Sequence, residues 1–225
     1  MENFWSRLEA RTASYNLLAH PFYQAWSAGE LTRADLAFYA AEYWHHVSAF
    51  PTYLSALHSN LPDGELRREV LRNLADEEGV DSAHARPHSE LWMDFAAGMG
   101  APRAEVLAHT TQPETDALIA TFRAAMQQSV PEALATLYAY ESAVPAIACT
   151  KAAGLQQHYA ADAATTRYFT LHQTADVYHA QVWRDLMDAE LAANPEAEVP
   201  ALAAAERAAH ALWLALDGVE RTRLN

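Results

Sequence analysis

The amino-acid sequence predicts an all-α fold, a single helical bundle that occupies residues 1–225. Only 7 of the 225 residues are glycine, and alanine, leucine, glutamate and arginine, which favour helices, are abundant. Apolar residues recur at helical spacing, and no segment shows the alternation of apolar and polar residues that is typical of a half-buried strand. A chain of this length with 51% hydrophobic residues can bury one sizeable core.

Turn signals divide the chain into helical segments. Most of them contain proline, as in the Leu61–Gly64 stretch, and they separate runs with apolar residues at helical spacing. Thr32, three residues before Asp35, predicts a capping box at the start of the first long helix. The predicted helices cover approximately residues 32–60, 64–83, 88–98, 114–128, 131–159, 165–193 and 198–217.

The composition excludes several classes of protein. The formal net charge of −14 disfavours nucleic-acid binding, which needs clustered positive charge. No run of about 18 apolar residues indicates a membrane span, and the N-terminus lacks the apolar stretch of a signal peptide. The single cysteine, Cys149, excludes an internal disulfide and fits a reducing compartment. We therefore expect a cytoplasmic protein that binds neither nucleic acid nor membrane.

Three polar residues form a stripe on the predicted helix 165–193. His172, Asp176 and His179 stand at positions i, i+4 and i+7, which places them on one helix face. Two imidazoles and one carboxylate are ligands of the type that non-haem iron favours. An exposed polar face with two chance histidines would give the same pattern, although most of the flanking residues are apolar. Taken alone, the stripe leaves both interpretations open.

A single carboxylate interrupts the most apolar predicted helix, 131–159. Glu141 is its only acid after Glu132, and a lone carboxylate in a core helix is rare unless it is paired or binds a metal. Pro145 removes the backbone hydrogen bond to residue 141 and should kink the helix there. The alternative is an ion pair with a core arginine, but no partner lies nearby in the sequence. A metal-binding role is therefore the favoured interpretation.

A third group of candidates surrounds Glu77. His84 follows it by seven residues and His88 by eleven, which is about two and three helical turns, so either histidine could return to the same face. Gly79 and Pro87 argue against one continuous helix between them. The neighbouring acids are expected to be solvated: Asp76, Glu78 and Asp81.

The three segments together supply the ligand types of a dinuclear site. They offer two glutamates, one aspartate and three histidines, and bundle cores build dinuclear iron sites from inward-facing residues of these types. Ferritin-like bundles use a pair of Glu-x-x-His motifs, and this chain lacks such a pair. A different helical scaffold is therefore predicted.

Arginine supplies nearly all of the basic side chains. Of the 15 basic residues 14 are arginine, and Lys151 is the only lysine. Arginine stays protonated, whereas a desolvated lysine can lose its proton and act as a nucleophile. Lys151 is therefore a candidate for amine chemistry, although codon bias with one chance exception would give the same count.

Several stretches of the chain resemble the CADD family, which is named for a chlamydial protein associating with death domains. They include HPFYQAW, NLADEEG with HSELW, LYAYES and YFTLHQTADVYHA, and the similarity covers about residues 4–217. The resemblance implies a haem-oxygenase-like helical bundle, similar to the thiaminase TenA and the oxidase PqqC. It also implies synthesis of para-aminobenzoate for folate from the chain itself, with a tyrosine supplying the ring and a lysine the nitrogen.

The resemblance implies a role for particular residues. Tyr23 would be the consumed tyrosine, with Tyr39 and Tyr43 nearby, and Lys151 would be the amine donor. The HSELW motif selects His88 as a ligand. The gap before it is about one helical turn longer than is usual in the family, which keeps His84 as a competitor. The implied metal ligands are Glu77, His88, Glu141, His172, Asp176 and His179.

The residues and the resemblance together predict an O2-dependent, non-haem dimetal oxygenase. Its cofactors would be two metal ions, Fe/Fe or Fe/Mn, with O2 and an external reductant. Its partners would be O2 and an internal or small aromatic substrate, and a homodimer is compatible with this expectation. Two alternatives stay open: a dimetal oxidase or N-oxygenase of an external small molecule, and a protein-interaction module without enzymatic activity.

Overall fold

The computed structural model describes residues 3–80 and 85–225, and these form α-helices, short 3-10 turns and loops without a strand. The absence of strands from the described residues agrees with the all-α prediction. In chain order the helices are α1 (Phe4–Thr12), α2 (Pro21–Ala28), α3 (Arg33–Asn60), α4 (Glu65–Glu77), α5 (His88–Met99), α6 (Arg103–Ala108), α7 (Pro113–Ala125), α8 (Val130–Glu141), α9 (Val144–Tyr159), α10 (Ala163–Ala193) and α11 (Glu198–Leu224).

Local polar signals decide where helices begin and end. The hydroxyl of Thr32 accepts from the Asp35 backbone, and the Asp35 carboxylate accepts from the Thr32 backbone at 2.7 Å, which is the predicted capping box of α3. At the start of α2, His20 Nδ1 accepts from the Phe22 N–H at 3.1 Å. Gly29 ends the same helix with a φ of 72°, a conformation that glycine adopts without strain.

The long helices α3, α10 and α11 organise the core. α3 packs against α4, α5 and α7, and α11 packs against α1, α7 and α8. α10 packs against α5, α8 and α9, and it also contacts α4. The inward face of α10 therefore meets side chains from four other helices.

The predicted helix 131–159 is two helices rather than one kinked helix, which corrects the sequence-based expectation. α8 ends at Glu141 and α9 begins at Val144, with Pro145 in its first turn. Proline cannot donate the hydrogen bond that a continuous helix needs there, but its fixed φ suits the start of a new helix. As a result, Glu141 lies at a helix end.

Other boundaries also differ from the prediction. The segment predicted as helix 64–83 ends at Glu77, and Gly79 follows with a φ of 63°. His84 and Asp81 lie outside the described residues. Three helices were not predicted, α1, α2 and α6, because at 9, 8 and 6 residues they are too short to show a clear period. Among the described residues, no helix has the length and apolar character that crossing a bilayer requires.

Candidate dinuclear metal centre

Two groups of buried residues have the composition of metal sites. The first group is Glu77, His88 and His172, and the second is Glu141, Asp176 and His179. Within each group, one ligand-type atom per residue lies within 4.8 Å of the others. All six residues are at most 5% exposed. The structure therefore brings together all six residues that the sequence singled out, and their role as ligands stays a prediction.

Helix ends and one helix face place these residues. Glu77 is the last residue of α4, His88 is the first of α5, and Glu141 is the last of α8. The other three lie in the middle of α10, where spacings of four and three residues keep them on one face. The break between α8 and α9 thus contributes to the site, because it leaves Glu141 at a terminus beside α10.

In the first group, the ring nitrogens are arranged for coordination rather than for mutual hydrogen bonds. His88 Nδ1 lies 3.0 Å from Glu77 Oε2, yet the pair lacks hydrogen-bond geometry. His172 Nδ1 is 2.6 Å from the Tyr168 carbonyl oxygen, which can only accept, so Nδ1 carries the proton. The lone pair of His172 is then on Nε2, the nitrogen that remains available to bind a metal.

In the second group, both oxygens of Glu141 have neutral hydrogen-bond donors. Asn73 Nδ2 donates to Oε1 at 2.9 Å, and Trp183 Nε1 donates to Oε2. His179 Nδ1 lies 3.5 Å from Asp176 Oδ1 and 3.7 Å from Glu141 Oε1, without a hydrogen bond to either. Glu141 is thus held by an amide and an indole, rather than by the arginine of the alternative interpretation.

The burial of these charges shifts their pKa values. Burial, with the nearby charge of Asp176, raises the pKa of Glu141 to about 8, although His179 opposes the shift. Burial alone would lower the pKa of His179, but the neighbouring carboxylates of Asp176 and Glu141 raise it to about 9. Burial alone would raise the pKa of Glu77, but the adjacent His88 outweighs burial, so the pKa of Glu77 is lowered.

A pair of divalent cations fits this donor set. In each group, ligand-type atoms of the three residues lie within 4.8 Å of one another, and within residues 3–80 and 85–225 the buried His88 Nδ1 and His179 Nδ1 have no hydrogen-bond partner. Buried polar groups normally have partners, and groups that lack them often mark an ion. A mixed nitrogen and oxygen set is also the type that iron and manganese accept.

A second cavity lies beside these groups and contains the only lysine. Lys151 Nζ donates hydrogen bonds to the hydroxyl of Tyr23 at 2.7 Å and to that of Tyr39 at 2.5 Å, and these hydroxyls lie 3.1 Å apart. The amine also stands 4.2 Å from the ring centroid of Tyr23 and 5.8 Å from that of Tyr43. The structure thus places together Lys151 and the three tyrosines implied by the resemblance.

The surroundings of Lys151 favour the neutral amine. The side chain is 5% exposed, and burial lowers its pKa well below the usual value. Aromatic rings surround it, including those of Trp26, Trp92 and Phe169, at 5.2–6.0 Å from Nζ. Burial likewise raises the pKa of Tyr23 and Tyr39. Both phenols are therefore protonated at neutral pH.

Two tyrosines that the sequence analysis did not select separate the cavities. Tyr140 and Tyr168 line both the cavity that contains Lys151 and the cavity that contains Glu77 and Glu141. A signal for them was present, because Tyr140 precedes Glu141 and Tyr168 continues the stripe of α10 by one turn. Trp183 extends the same stripe at its other end.

The remaining sequence expectations have mixed outcomes. His20 caps α2, and Trp26, Trp92 and Trp183 are buried in the core. Asp76 was expected to be solvated, and its side chain is 39% exposed, but its Oδ2 also lies 3.2 Å from His179 Nε2. The sequence did not predict this contact, because it joins α4 to α10 through two residues that are 103 positions apart in the sequence.

A helical bundle with paired carboxylate–histidine groups defines a class of non-haem metalloprotein. The chain belongs to the family of iron-containing redox enzymes, whose model matches residues 37–213. It is 40% identical to the 4-aminobenzoate synthase of Nitrosomonas europaea across 96% of this chain and 90% of that protein. It is 39% identical to the 4-aminobenzoate synthase of Chlamydia muridarum across 83% and 78%.

The predicted fold is confirmed by a solved structure. A protein of unknown function with a haem-oxygenase-like fold from Shewanella denitrificans superimposes with a TM-score of 0.80, covering 96% of this chain and 90% of that one. At 20% sequence identity this similarity shows the fold alone. The chain is therefore a haem-oxygenase-like helical bundle in an iron-containing redox enzyme family.

Proposed function

We propose that this chain is an O2-dependent dimetal oxygenase that makes 4-aminobenzoate (para-aminobenzoate) for folate synthesis. The ring would come from one of its own tyrosines and the nitrogen from Lys151. Support comes from relatives named 4-aminobenzoate synthase at 34–40% identity. The six buried candidate ligands and the adjacent lysine cavity supply the two kinds of group that this chemistry needs.

The observation that carries the proposal is the placement of Lys151 Nζ between two phenols. An amine that serves only as a structural cation would gain from a carboxylate partner, whereas burial is the sole cause of the lowered pKa here. Burial leaves the nitrogen lone pair free, which is the form that can attack an electrophilic ring carbon. The nitrogen is within hydrogen-bond distance of the ring hydroxyls of Tyr23 and Tyr39.

The proposed transfer makes demands that these residues can meet. Oxidation makes the tyrosine ring electrophilic, and Nζ then bonds to the carbon that carries the hydroxyl. The oxygen would leave as water, and the resulting imine would isomerise so that water breaks the bond between Nζ and Cε of Lys151, leaving Cε as an aldehyde. The bond between Cα and Cβ of the tyrosine must also break as O2 oxidises Cβ to the carboxylate. The aromatic side chains around the amine exclude bulk water, which would otherwise compete for the oxidised ring.

The proposed metal ions are of the iron class, either Fe/Fe or Fe/Mn. Glu77, His88 and His172 would hold one ion, and the second group of ligands would hold the other. With O2 and an external reductant, the ions would supply the oxidising equivalents for the reaction. The chain's own part is to hold the ligands in place, to protect the ring from water and to present the amine.

The geometry favours Tyr23 over Tyr39 as the consumed residue. Both hydroxyls contact Lys151, but Tyr23 lines the open cavity, whereas Tyr39 is fully buried and does not line it. A ring that borders open space can leave as product with less rearrangement of the core. Tyr43 also lines the cavity, but its ring centroid is farther from Nζ, at 5.8 Å.

Isotope labelling gives a residue-specific test, because the chain has one lysine. Protein labelled with ¹⁵N only at lysine Nζ should yield 4-aminobenzoate that carries ¹⁵N after reaction with iron or an iron–manganese mixture, reductant and O2. Protein labelled only at arginine side chains is the matched control and should yield unlabelled product. Unlabelled product from the lysine-labelled protein would exclude Lys151 as the donor.

Intact-mass measurement tests whether the chain is consumed. The reacted protein should lose the mass of a tyrosine ring with its Cβ and of the lysine nitrogen, because 4-aminobenzoate contains seven carbons and one nitrogen. Peptide mapping should assign the loss of carbon to Tyr23 and the loss of nitrogen to Lys151. Tyr23→Phe should give no product, whereas Tyr39→Phe should retain some. Product formed over many turnovers by a chain of unchanged mass would instead support an oxygenase of an external small molecule.

A further inference from the structure

Asp76 is an acid at the edge of the second ligand group. It precedes Glu77 in the last turn of α4, and its side chain is 39% exposed. Its Oδ2 lies 3.2 Å from Nε2 of His179, the ring nitrogen that faces away from Glu141 and Asp176. Among the described ion pairs of the six candidate ligands, this is the one that involves a carboxylate from outside the six.

The contact determines which nitrogen of His179 is free. An imidazole that binds a metal ion is neutral and keeps one proton, and the carboxylate of Asp76 can only accept that proton, so it is on Nε2. The lone pair is then on Nδ1, which is 3.5 Å from Asp176 and 3.7 Å from Glu141 and has no hydrogen-bond partner among the described residues. In this tautomer, Nδ1 is ready to bind an ion held by those two carboxylates.

His172 provides an internal comparison. Its orienting partner is a neutral backbone carbonyl, that of Tyr168, rather than a carboxylate. A carboxylate acceptor holds the ring more strongly than a carbonyl does, and it raises the basicity of the coordinating nitrogen. The two ligand groups therefore differ in how strongly their histidines are held.

We propose that Asp76 is a positioning residue that fixes the Nδ1-coordinating tautomer of His179 and thereby sets the metal affinity of the Glu141–Asp176–His179 group. The inference rests on the dimetal centre of the proposed function. It predicts that loss of the carboxylate weakens the binding of one of the two metal ions and leaves the binding of the other unchanged.

Metal titration of the full chain tests this proposal. The probe is Co²⁺, added without O2 and followed by absorption, with bound metal checked by elemental analysis. Asp76→Asn should weaken one of the two binding events by about 10–100-fold, the range seen when such orienting partners are removed. Asp76→Glu, which keeps a carboxylate, should recover part of the affinity.

Glu78→Gln is the matched control. Glu78 is an exposed acid two residues farther along the chain, so this variant removes the same charge near the site without touching His179. It should bind both ions as the unsubstituted chain does, which separates a specific contact from a general loss of negative charge. Equal weakening in Asp76→Asn and Glu78→Gln would overturn the proposal.

The tautomer itself gives a readout that a structural role of Asp76 would not move. With diamagnetic Zn²⁺ bound and histidine labelled with ¹⁵N, NMR should show His179 protonated on Nε2 and bound through Nδ1, a pattern weakened in Asp76→Asn. Coordination through Nε2 would overturn the proposal, as would unchanged Co²⁺ affinity in Asp76→Asn. If the unsubstituted chain does not bind two ions, the proposed function fails instead.

Discussion

Tyr140 and Tyr168 line two cavities, the metal-ligand cavity that contains Glu77 and Glu141 and the lysine cavity that contains Lys151. The two cavities have opposite effects on the charge of the groups buried in them. Around Glu141, three carboxylates and three histidines are buried together, and the histidines offset part of the carboxylate charge. Around Lys151, one amine is buried among aromatic rings, and burial alone lowers its pKa. A bound metal ion would neutralise the carboxylate charge of the metal-ligand cavity, whereas the lysine cavity favours the neutral amine of Lys151.

This difference would let one helical bundle hold the proposed dimetal centre beside a free amine. Tyr140 and Tyr168 line both cavities and separate the carboxylates from the amine. A carboxylate within ion-pair distance of Lys151 would raise its pKa and remove the free lone pair. The separation therefore matters for the chemistry, and the following predictions test it from the largest expected effect to the smallest.

The largest effect is expected when the metal-ligand cavity loses a carboxylate. Glu141→Gln should reduce bound metal from two ions per chain to at most one, because an amide is a poor ligand for a divalent cation. The metal-free variant should stay folded, because burial already disfavours the charge of Glu141. Elemental analysis and circular dichroism would measure the two outcomes.

An exposed acid provides the control for this experiment. Glu105→Gln changes the same chemical group on the surface of α6 and should bind both metal ions. If Glu141→Gln also retains two ions per chain, Glu141 is not a ligand. The contrast between a charged and an uncharged cavity would then need another explanation.

Substitution of the lysine in the lysine cavity should abolish the reaction but stabilise the fold. Lys151→Met keeps the length of the side chain, removes the amine and should abolish 4-aminobenzoate. The variant should unfold at a higher temperature at pH 7, because each unit by which burial lowers a pKa corresponds to about 1.4 kcal/mol. Lys151→Arg is a poorer test, because arginine would bury a charge that it cannot lose.

The stability of the unsubstituted chain should depend on alkaline pH through the same residue. The folded-state pKa of Lys151 lies below 10.5, so between these two values the unfolded chain binds a proton that the folded chain does not. Stability therefore rises as pH increases through that window and is lost as pH falls. Urea unfolding at several pH values should show this slope, and a slope of equal size in Lys151→Met would exclude Lys151 as its source.

The sequence predicted the residues of both cavities better than their supporting contacts. The α10 stripe was predictable because a helix repeats its face every three or four residues, and Lys151 because it is the only lysine. The partners Asn73 and Asp76 were not predictable, because each depends on how α4 packs against α8 or α10. The break before Pro145 was expected only as a kink, since a proline signal alone does not separate a bend from a new helix.

The smallest effect is expected at the start of α2, where His20 caps the helix that carries Tyr23. Its Nδ1 accepts from the Phe22 N–H, and its Nε2 lies 3.1 Å from Asp217 Oδ1, so the neutral ring with its proton on Nε2 satisfies both contacts. His20→Ala should lose the cap at a cost of about 1 kcal/mol. His20→Asn keeps a capping oxygen and should recover most of that stability.

The pH dependence of these variants would identify the cap as the source. Burial lowers the pKa of His20, although Asp217 opposes the shift, so the folded chain resists a proton that the unfolded chain accepts below about pH 6.5. Stability should therefore fall as pH decreases from about 6.5 towards the folded-state pKa. His46, whose pKa burial lowers to about 3, adds to this slope in every variant. His20→Asn should accordingly be less sensitive to acid than the unsubstituted chain, and equal sensitivity would show that protonation of His20 does not open the cap.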